Sequence, residues 1–532
     1  MEYYEERDRY PELNGETTEI DVTVSNVRKF FKDANIFVTG GAGFIGSLLI
    51  EKIARSCPDF GKIYLLLRPK RGLTPNERLD NIFEDEIFSQ LKKENPGFRS
   101  RIFLMEGDLK EPQCGLNEEQ LNTIRKEVNV IYHNASCLRM TEPLKTAYYM
   151  NVRATKDLLD LGTEMTQLKA FIYTSTAYSN LFRPDIREKF YPTIYNWENL
   201  RDLVERLPEE ELDYFTPKLV GRWVNTYSFT KAIVEDMIKS YVGRIPVAIA
   251  RPSIVVGCKE EPLKNWINNM YGVSGVSAGA CVGIIRVWCA DCTKMADIIP
   301  ADYVVNAMIC IATHLDKNQR EKILLERPIF NLVSSAKAPI TWGEYMRDTA
   351  HAALEGKLAT RKSIGEYGMI LIREWWLFSV LFFILHLPQG LMVDSMLYLN
   401  GKSPQLVKSY IKIKNLQAQL SYYCGKEWLC DQPNVDAMIE SMNAADKRLF
   451  PFDMTSFDWK SYHQCSVGAI MKYIIKSTDS ENPQRARKQQ QRFIKTREYV
   501  FRAIEILILY GVLKMSQTGL TNIMMISSQG VL

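Results

Sequence analysis

The run from Asn35 to Gly46, Asn-Ile-Phe-Val-Thr-Gly-Gly-Ala-Gly-Phe-Ile-Gly, constrains this chain more than any other stretch. A short β-branched and aromatic strand leads into glycines at 40, 43 and 46, then into the helical pattern of residues 47–54. Glycines let a backbone turn sharply and come close to a pyrophosphate, and the N–H groups of a helix start receive its negative charge. Spaced glycines alone say little; a strand before them and a helix after them supply the context that the motif needs. The expectation is a dinucleotide site built on Thr39, Gly40, Gly43, Phe44, Ile45 and Gly46.

The next strand, residues 62–67, ends in Arg68-Pro-Lys-Arg71. An NAD site usually places a carboxylate near this point to accept from the ribose hydroxyls. Arg68, Lys70 and Arg71 stand here instead and would attract a 2′-phosphate, so NADPH is the expected cofactor. Gly-x-x-Gly-x-x-Gly after Thr39 resembles the fingerprint of extended short-chain dehydrogenases/reductases.

From residue 35 to about 310, apolar runs alternate with amphipathic segments of helical length. Candidate strands are Ile36–Thr39, Ile63–Leu67, Ile102–Met105, Val128–His133, Ala170–Thr174 and Val247–Ala250. That rhythm predicts an α/β, Rossmann-type doubly wound parallel sheet, with ligand chemistry beyond the C-terminal strand ends. Gly107-Asp108-Leu109 follows the third strand, where Asp108 could accept from an adenine amino group. His133-Asn134 follows the fourth, near the expected diphosphate and nicotinamide ribose.

Two motifs bear on the reaction. The fifth strand ends in Ser175-Thr-Ala-Tyr178, and Tyr227-Ser-Phe-Thr-Lys231 opens a later helix. Tyrosine and lysine four apart share a helical face, and an ammonium beside a phenol favours the phenolate. Tyr227 can then exchange a proton near neutral pH, with Lys231 tuning it. A hydroxyl from Thr176 or Ser175 can bond the same substrate oxygen; motif position favours Thr176.

With these stretches in hand, the chain resembles an alcohol-forming fatty acyl-CoA reductase of the insect-like kind. The resemblance is carried by Thr39–Gly46, residues 66–72, 175–180, 225–231 and 250–255, then by 265–272 and 299–306. Phe450-Pro-Phe-Asp-Met454 with Asp458, Trp459 and Tyr462 is similar to the family's smaller C-terminal domain. Met140 stands where the family often has an aromatic, and Ala154 where it often has glycine. The resemblance implies NADPH-dependent reduction of long-chain fatty acyl-CoA, through an aldehyde, to a primary alcohol with release of CoA. It also implies that Lys231 hydrogen-bonds the nicotinamide ribose. Other readings are a different extended reductase (sterol dehydrogenase or sugar-nucleotide epimerase) and a non-catalytic lipid-binding protein on this fold.

At 532 residues the chain has room for several domains. The expected division is a flexible arm at 1–30, the reductase domain at 31–340, a helical domain at 341–478, and a basic linker with an apolar tail at 479–532. A net charge of +4 is too small at this size to point to nucleic acid. Eleven scattered cysteines do not form a disulfide framework, and Cys289 and Cys292 lack the second pair or histidine of a zinc site. The first 25 residues carry no apolar h-region, so no secretory signal is expected.

Two stretches suggest a membrane surface. The uncharged run Trp375–Val393 reaches spanning length, but His386, Pro388, Gln389 and Gly390 are expected to break it and leave a buried or interfacial helix. Arg485, Arg487, Lys488, Arg492, Lys495 and Arg497 precede the apolar stretch Tyr499–Leu513, a pairing that suits an anionic cytoplasmic leaflet and the main expected attachment. The resemblance points to endoplasmic reticulum or peroxisome. Gly530-Val-Leu532 is not Ser-Lys-Leu, which favours the former.

Overall fold

The computed structural model describes residues 21–321, 326–355, 360, 362–365, 367–477, and of the tail 487, 488, 490–496, 498, 499, 502, 503 and 506. Most of the expected N-terminal arm and most of Tyr499–Leu513 lie outside them, as do Arg485 and Arg497.

The chain forms two compact units, each assembled from separate stretches. The first unit comprises Met1–Ser253, Ile299–Val333 and Cys430–Met454. Its centre is a seven-stranded parallel sheet. The strands are β1 (Ile36–Thr39), β2 (Ile63–Leu67), β3 (Ile102–Glu106), β4 (Val130–His133), β5 (Ala170–Thr174), β6 (Val247–Pro252) and β7 (Ile329–Leu332), in the spatial order β7-β6-β5-β4-β1-β2-β3. Every residue of β1, β2, β4, β6 and β7 is buried, as expected when helices cover both faces. The doubly wound sheet expected from the sequence is present. β7 lies past the alternation read from the sequence. The order reverses between β1 and β4, which places a ligand crevice at their C-terminal ends.

Helix α1 (Phe44–Ser56) follows β1, and α2 (Thr226–Ile238) precedes β6. Residues 430–454 stitch the first unit together from far along the chain. Asp446 accepts from Ser25 Oγ at 2.5 Å and from the Asn26 and Val27 amides at 3.2 Å, at the start of the short helix Asn26–Phe31. Lys52 of α1 donates to Leu449 O at 2.7 Å, and Asn306 donates to Pro451 O at 2.9 Å.

The second unit comprises Ile254–Ile298, Ser334–Leu429 and Thr455–Leu532 and is largely helical. Its described helices include α3 (Trp342–Glu355), α4 (Trp375–Leu399), α5 (Leu406–Cys424) and α6 (Trp459–Ala469). The motif residues near 460 hold it together: Asp458 caps α6, Trp459 Nε1 donates to Ala338 O at 2.8 Å, and Tyr462 donates to Gly257 O at 3.0 Å.

The expected break in Trp375–Val393 does not occur. α4 runs unbroken for 25 residues with Pro388 inside it. The polar residues thought to interrupt it have partners in the same unit. His386 Nε2 accepts from the Arg286 amide at 3.1 Å while its Nδ1 faces Phe382 O at 3.0 Å. Gln389 donates to Gly283 O at 3.0 Å. A Cβ on Gly390 would come within 3.1 Å of both Tyr410 and Val407, so glycine here lets α5 approach closely. By length and composition α4 is the only described helix able to cross a bilayer.

Candidate active site

The glycine turn leaves β1 under tight steric control. Gly40 has φ +74°, and a Cβ there would stand 2.8 Å from the Ala135 amide nitrogen. A Cβ on Gly46 would stand 2.2 Å from Gly40 O, closer than any side chain tolerates. Gly43 occupies the N-cap of α1 and makes no side-chain cap bond. Phe44, Ile45 and Gly46 form the first turn behind it, an arrangement suited to an anion.

Thr39 ties this turn to the end of β4. Its Oγ1 accepts from the Ala135 amide at 3.1 Å and lies 2.7 Å from His133 Nδ1. His133 Nε2 lies 2.9 Å from Thr155 Oγ1, which itself donates to Asn151 O at 2.6 Å. Thr155 must therefore accept, so Nε2 carries the imidazole proton and Nδ1 accepts from Thr39. Burial, reinforced by nearby Lys231, pushes His133 down to about 3 and keeps it neutral. Asn134 accepts from Thr174 Oγ1 at 2.6 Å, while its buried Nδ2 has no partner among the described residues.

Positive charge collects after β2. Arg68 pairs with Asp108 at 2.8 Å, so the carboxylate expected to meet an adenine amino group is already engaged by a guanidinium. Lys70 is pushed below the usual lysine range by partial burial and by Arg78, Arg68, Arg71 and Arg139. Arg78, which donates to Arg68 O, was not singled out in the sequence; the Thr74–Glu77 capping box that starts its helix was the available signal. Arg71 sits in the same crowd at φ +55°. Leu109 is buried in the apolar core.

The end of β5 separates the two candidate hydroxyls. Ser175 donates to Glu235 Oε1 at 2.5 Å, and Ser179 donates to Oε2 at 3.1 Å. Arg251 grips the same carboxylate through Nε at 2.9 Å and Nη2 at 2.6 Å, with both charges essentially fully buried. Thr176 accepts from the Tyr178 amide at 3.2 Å and donates to none of the described residues. The Glu235–Arg251 pair escaped the sequence reading, since no local pattern links the two positions.

Tyr227 is half-buried in the first turn of α2, which Asn225 caps by accepting from the Ser228 amide at 2.8 Å. One turn on, Lys231 is buried and donates to Thr174 O at 2.6 Å. Its Nζ lies 4.5 Å from the Tyr173 ring centroid and 5.9 Å from that of Tyr227. Burial pushes Lys231 down to about 7, with Glu235 opposing the shift. Thr174, unremarked in the sequence, thus holds Lys231 through its carbonyl and Asn134 through its hydroxyl. The glycine cradle, the cation cluster and the orphaned Asn134 Nδ2 fit a nicotinamide dinucleotide lying along the strand ends. Among the described residues no group of three or more His, Cys, Asp or Glu side chains could hold a metal ion.

Two family models, both described as Male sterility protein, match residues 38–308 and 385–477. The chain is 34% identical over 495 residues to the fatty acyl-CoA reductase wat of Drosophila melanogaster, covering 92% of this chain and 94% of that one. It is 30% identical over 490 residues to fatty acyl-CoA reductase 1 of Homo sapiens, covering 92% and 93%. Among solved structures, the terminal R domain of the myxalamid PKS-NRPS pathway superposes with a TM-score of 0.54 at 20% identity, over 83% of this chain and 91% of that one. The reductase domain of a nonribosomal peptide synthetase from Mycobacterium tuberculosis gives 0.51 at 14% identity, over 82% and 93%. These two structures share the fold. A nicotinamide-nucleotide fold and near full-length similarity to these relatives make this oxidoreductase a member of the fatty acyl-CoA reductase family, within the extended short-chain dehydrogenases/reductases.

Proposed function

We propose that the protein reduces long-chain fatty acyl-CoA to a primary alcohol at the expense of NADPH, releasing CoA and passing through an aldehyde at one site. The observation that carries this reading is the placement of Tyr227, Lys231 and Thr176 around the end of β5, beside the dinucleotide cradle, in a chain of this family. Bound NADPH supplies hydride. Tyr227 gives its proton to the oxygen of the reacting carbonyl, and Thr176 donates a second hydrogen bond to that oxygen. Lys231, fixed by Thr174 O, holds positive charge beside the phenol and reaches the ribose. Asn134 Nδ2 finds its partner on the ribose or diphosphate. Arg68, Lys70, Arg71 and Arg78 supply the charge for a 2′-phosphate. The hemithioacetal formed at the first reduction loses CoA thiolate, and the aldehyde is reduced in the same pocket.

Insoluble substrates and products suit an enzyme on a membrane surface, with the catalytic domain facing the cytosol. Endoplasmic reticulum is the favoured site over the peroxisomal membrane. NADPH oxidation with palmitoyl-CoA, scored for alcohol, aldehyde and free CoA, tests the reading. Alcohol with stoichiometric CoA supports it. Aldehyde as the sole product, or no turnover beside intact NADPH binding, rejects it.

A further inference from the structure

Helix α4 is apolar on two opposite faces, and the described residues cover only one of them. Phe378, Phe382, His386, Gln389 and Gly390 form the buried stripe. Opposite them Trp376, Val380, Phe383, Ile384 and Leu391 remain 48–68% exposed, spaced three, four and seven apart along one side. A helix at the surface of a soluble domain turns polar residues to that side. Contiguous exposed apolar side chains mark an interaction surface.

The charges nearby choose the partner. Residues 375–424, which include α4 and α5, contain Lys402, Lys408, Lys412 and Lys414 and a single acidic residue, Asp394. All four lysines are exposed. Asp394 is occupied, accepting from the Gln405, Leu406 and Val407 amides at 2.8–3.0 Å to cap α5. Outward-facing charge on this hairpin is therefore positive. The buried stripe also settles the posture. His386 and Gln389 are bonded to backbone of the same unit, and Phe378 and Phe382 pack with Val287, Cys289 and Tyr410. A helix seated on protein along its length cannot be ringed by lipid.

We infer that the outward face of the α4–α5 hairpin is a monotopic membrane-binding surface, with α4 lying in the interface of an anionic bilayer and the lysines near its headgroups. This rests on the membrane-surface reading above and adds a second contact to the expected one at the apolar tail.

Flotation of full-length protein tests it, using vesicles of phosphatidylcholine alone and of phosphatidylcholine mixed with phosphatidylserine. The parent should float with the mixed vesicles. Joint Trp376→Glu, Phe383→Glu and Ile384→Glu should lower partitioning at least about tenfold while NADPH affinity is unchanged. Should that variant lose NADPH binding, Trp376→Ser with Phe383→Ser gives the milder reading of the same face. Joint Lys408→Glu, Lys412→Glu and Lys414→Glu should remove the preference for mixed vesicles. Truncation after residue 480 should weaken flotation without abolishing it, and the face substitutions added to the truncated chain should remove what remains. Face variants that float like the parent overturn the inference while sparing the membrane reading; a parent that floats with neither vesicle overturns both. Face variants that still float but halve the mass in light scattering would assign the face to a second copy of the chain, and also overturn it.

Discussion

Ser175 lies 2.5 Å from Glu235 and donates its hydroxyl proton to that carboxylate. Because Arg251 closes on the same group in a fully buried pair, the serine belongs to the scaffold of the strand end. Thr176, one residue on, donates to none of the described residues, and in the proposed reaction its proton goes to the substrate oxygen. Ser175→Ala should therefore cost stability, about 1–3 kcal/mol for a carboxylate left short of a donor, with kcat changed by less than about fivefold. Thr176→Ala should do the reverse, cutting kcat by about 10–10²-fold with little change in Tm. Paired measurements of thermal unfolding and palmitoyl-CoA turnover separate the two; equal kinetic losses would return both hydroxyls to the reaction.

Tyr227→Phe keeps the ring on α2 and removes only the proton donor. Reduction should fall by at least about 10²-fold with the fold intact. Acyl-CoA and fatty aldehyde should suffer alike, because the proposed reaction brings both to the same phenol. Aldehyde reduction that survives when acyl-CoA reduction is lost would demand a second centre.

Partial burial and the neighbouring Arg78, Arg68, Arg71 and Arg139 lower the pKa of Lys70, a repulsion that the proposed 2′-phosphate would relieve. Arg68→Ala with Arg71→Ala should raise the apparent KM for NADPH and narrow the gap to NADH, each missing charge-assisted bond to the phosphate costing about 1.5–3 kcal/mol. Arg78→Ala should act in the same direction. Steady-state kinetics with both cofactors is the check, and unchanged NADPH kinetics in the double variant would move the phosphate-binding role elsewhere.

Lys231 makes stability depend on pH in a definite direction. Its folded-state value is about 7, below that of an unfolded lysine, so the unfolded chain binds more protons between those values. The penalty for burying the ammonium is fully present below about pH 7 and is relieved as pH rises above it. Urea unfolding at pH 6.5 and 9 should show the parent gaining on the order of 1–3 kcal/mol relative to Lys231→Met, one pKa unit being about 1.36 kcal/mol. A parallel response in both proteins would mean that Lys231 stays charged across the range.

What could be read from the sequence is what short-range sterics decide. Gly46 must be glycine because of Gly40, six residues away, and the whole turn is visible in one stretch of chain. Tyr227 and Lys231 lie one helical turn apart and are equally legible. The different bonding of Ser175 and Thr176 depends on Glu235 and Arg251, which meet the strand end only after the sheet is assembled. The same holds for α4: His386 and Gln389 look like interruptions until Arg286 and Gly283, about a hundred residues earlier, supply their bonds. The ion pair of Asp108 with Arg68 likewise forms across adjacent strand ends, where no local pattern announces it.

The return of Cys430–Met454 to the sheet unit sets the order in which this protein can be made. All seven strands have been synthesised by Leu332, yet Ser25, Lys52 and Asn306 still wait for Asp446, Leu449 and Pro451. A chain halted near residue 340 carries every strand of the nucleotide fold and lacks the clasp that secures its first helices. Termination before residue 430 thus removes contacts made by Ser25, Lys52 and Asn306, and an isolated reductase half keeps them only if residues 430–454 are restored to it as a separate peptide or a fused segment.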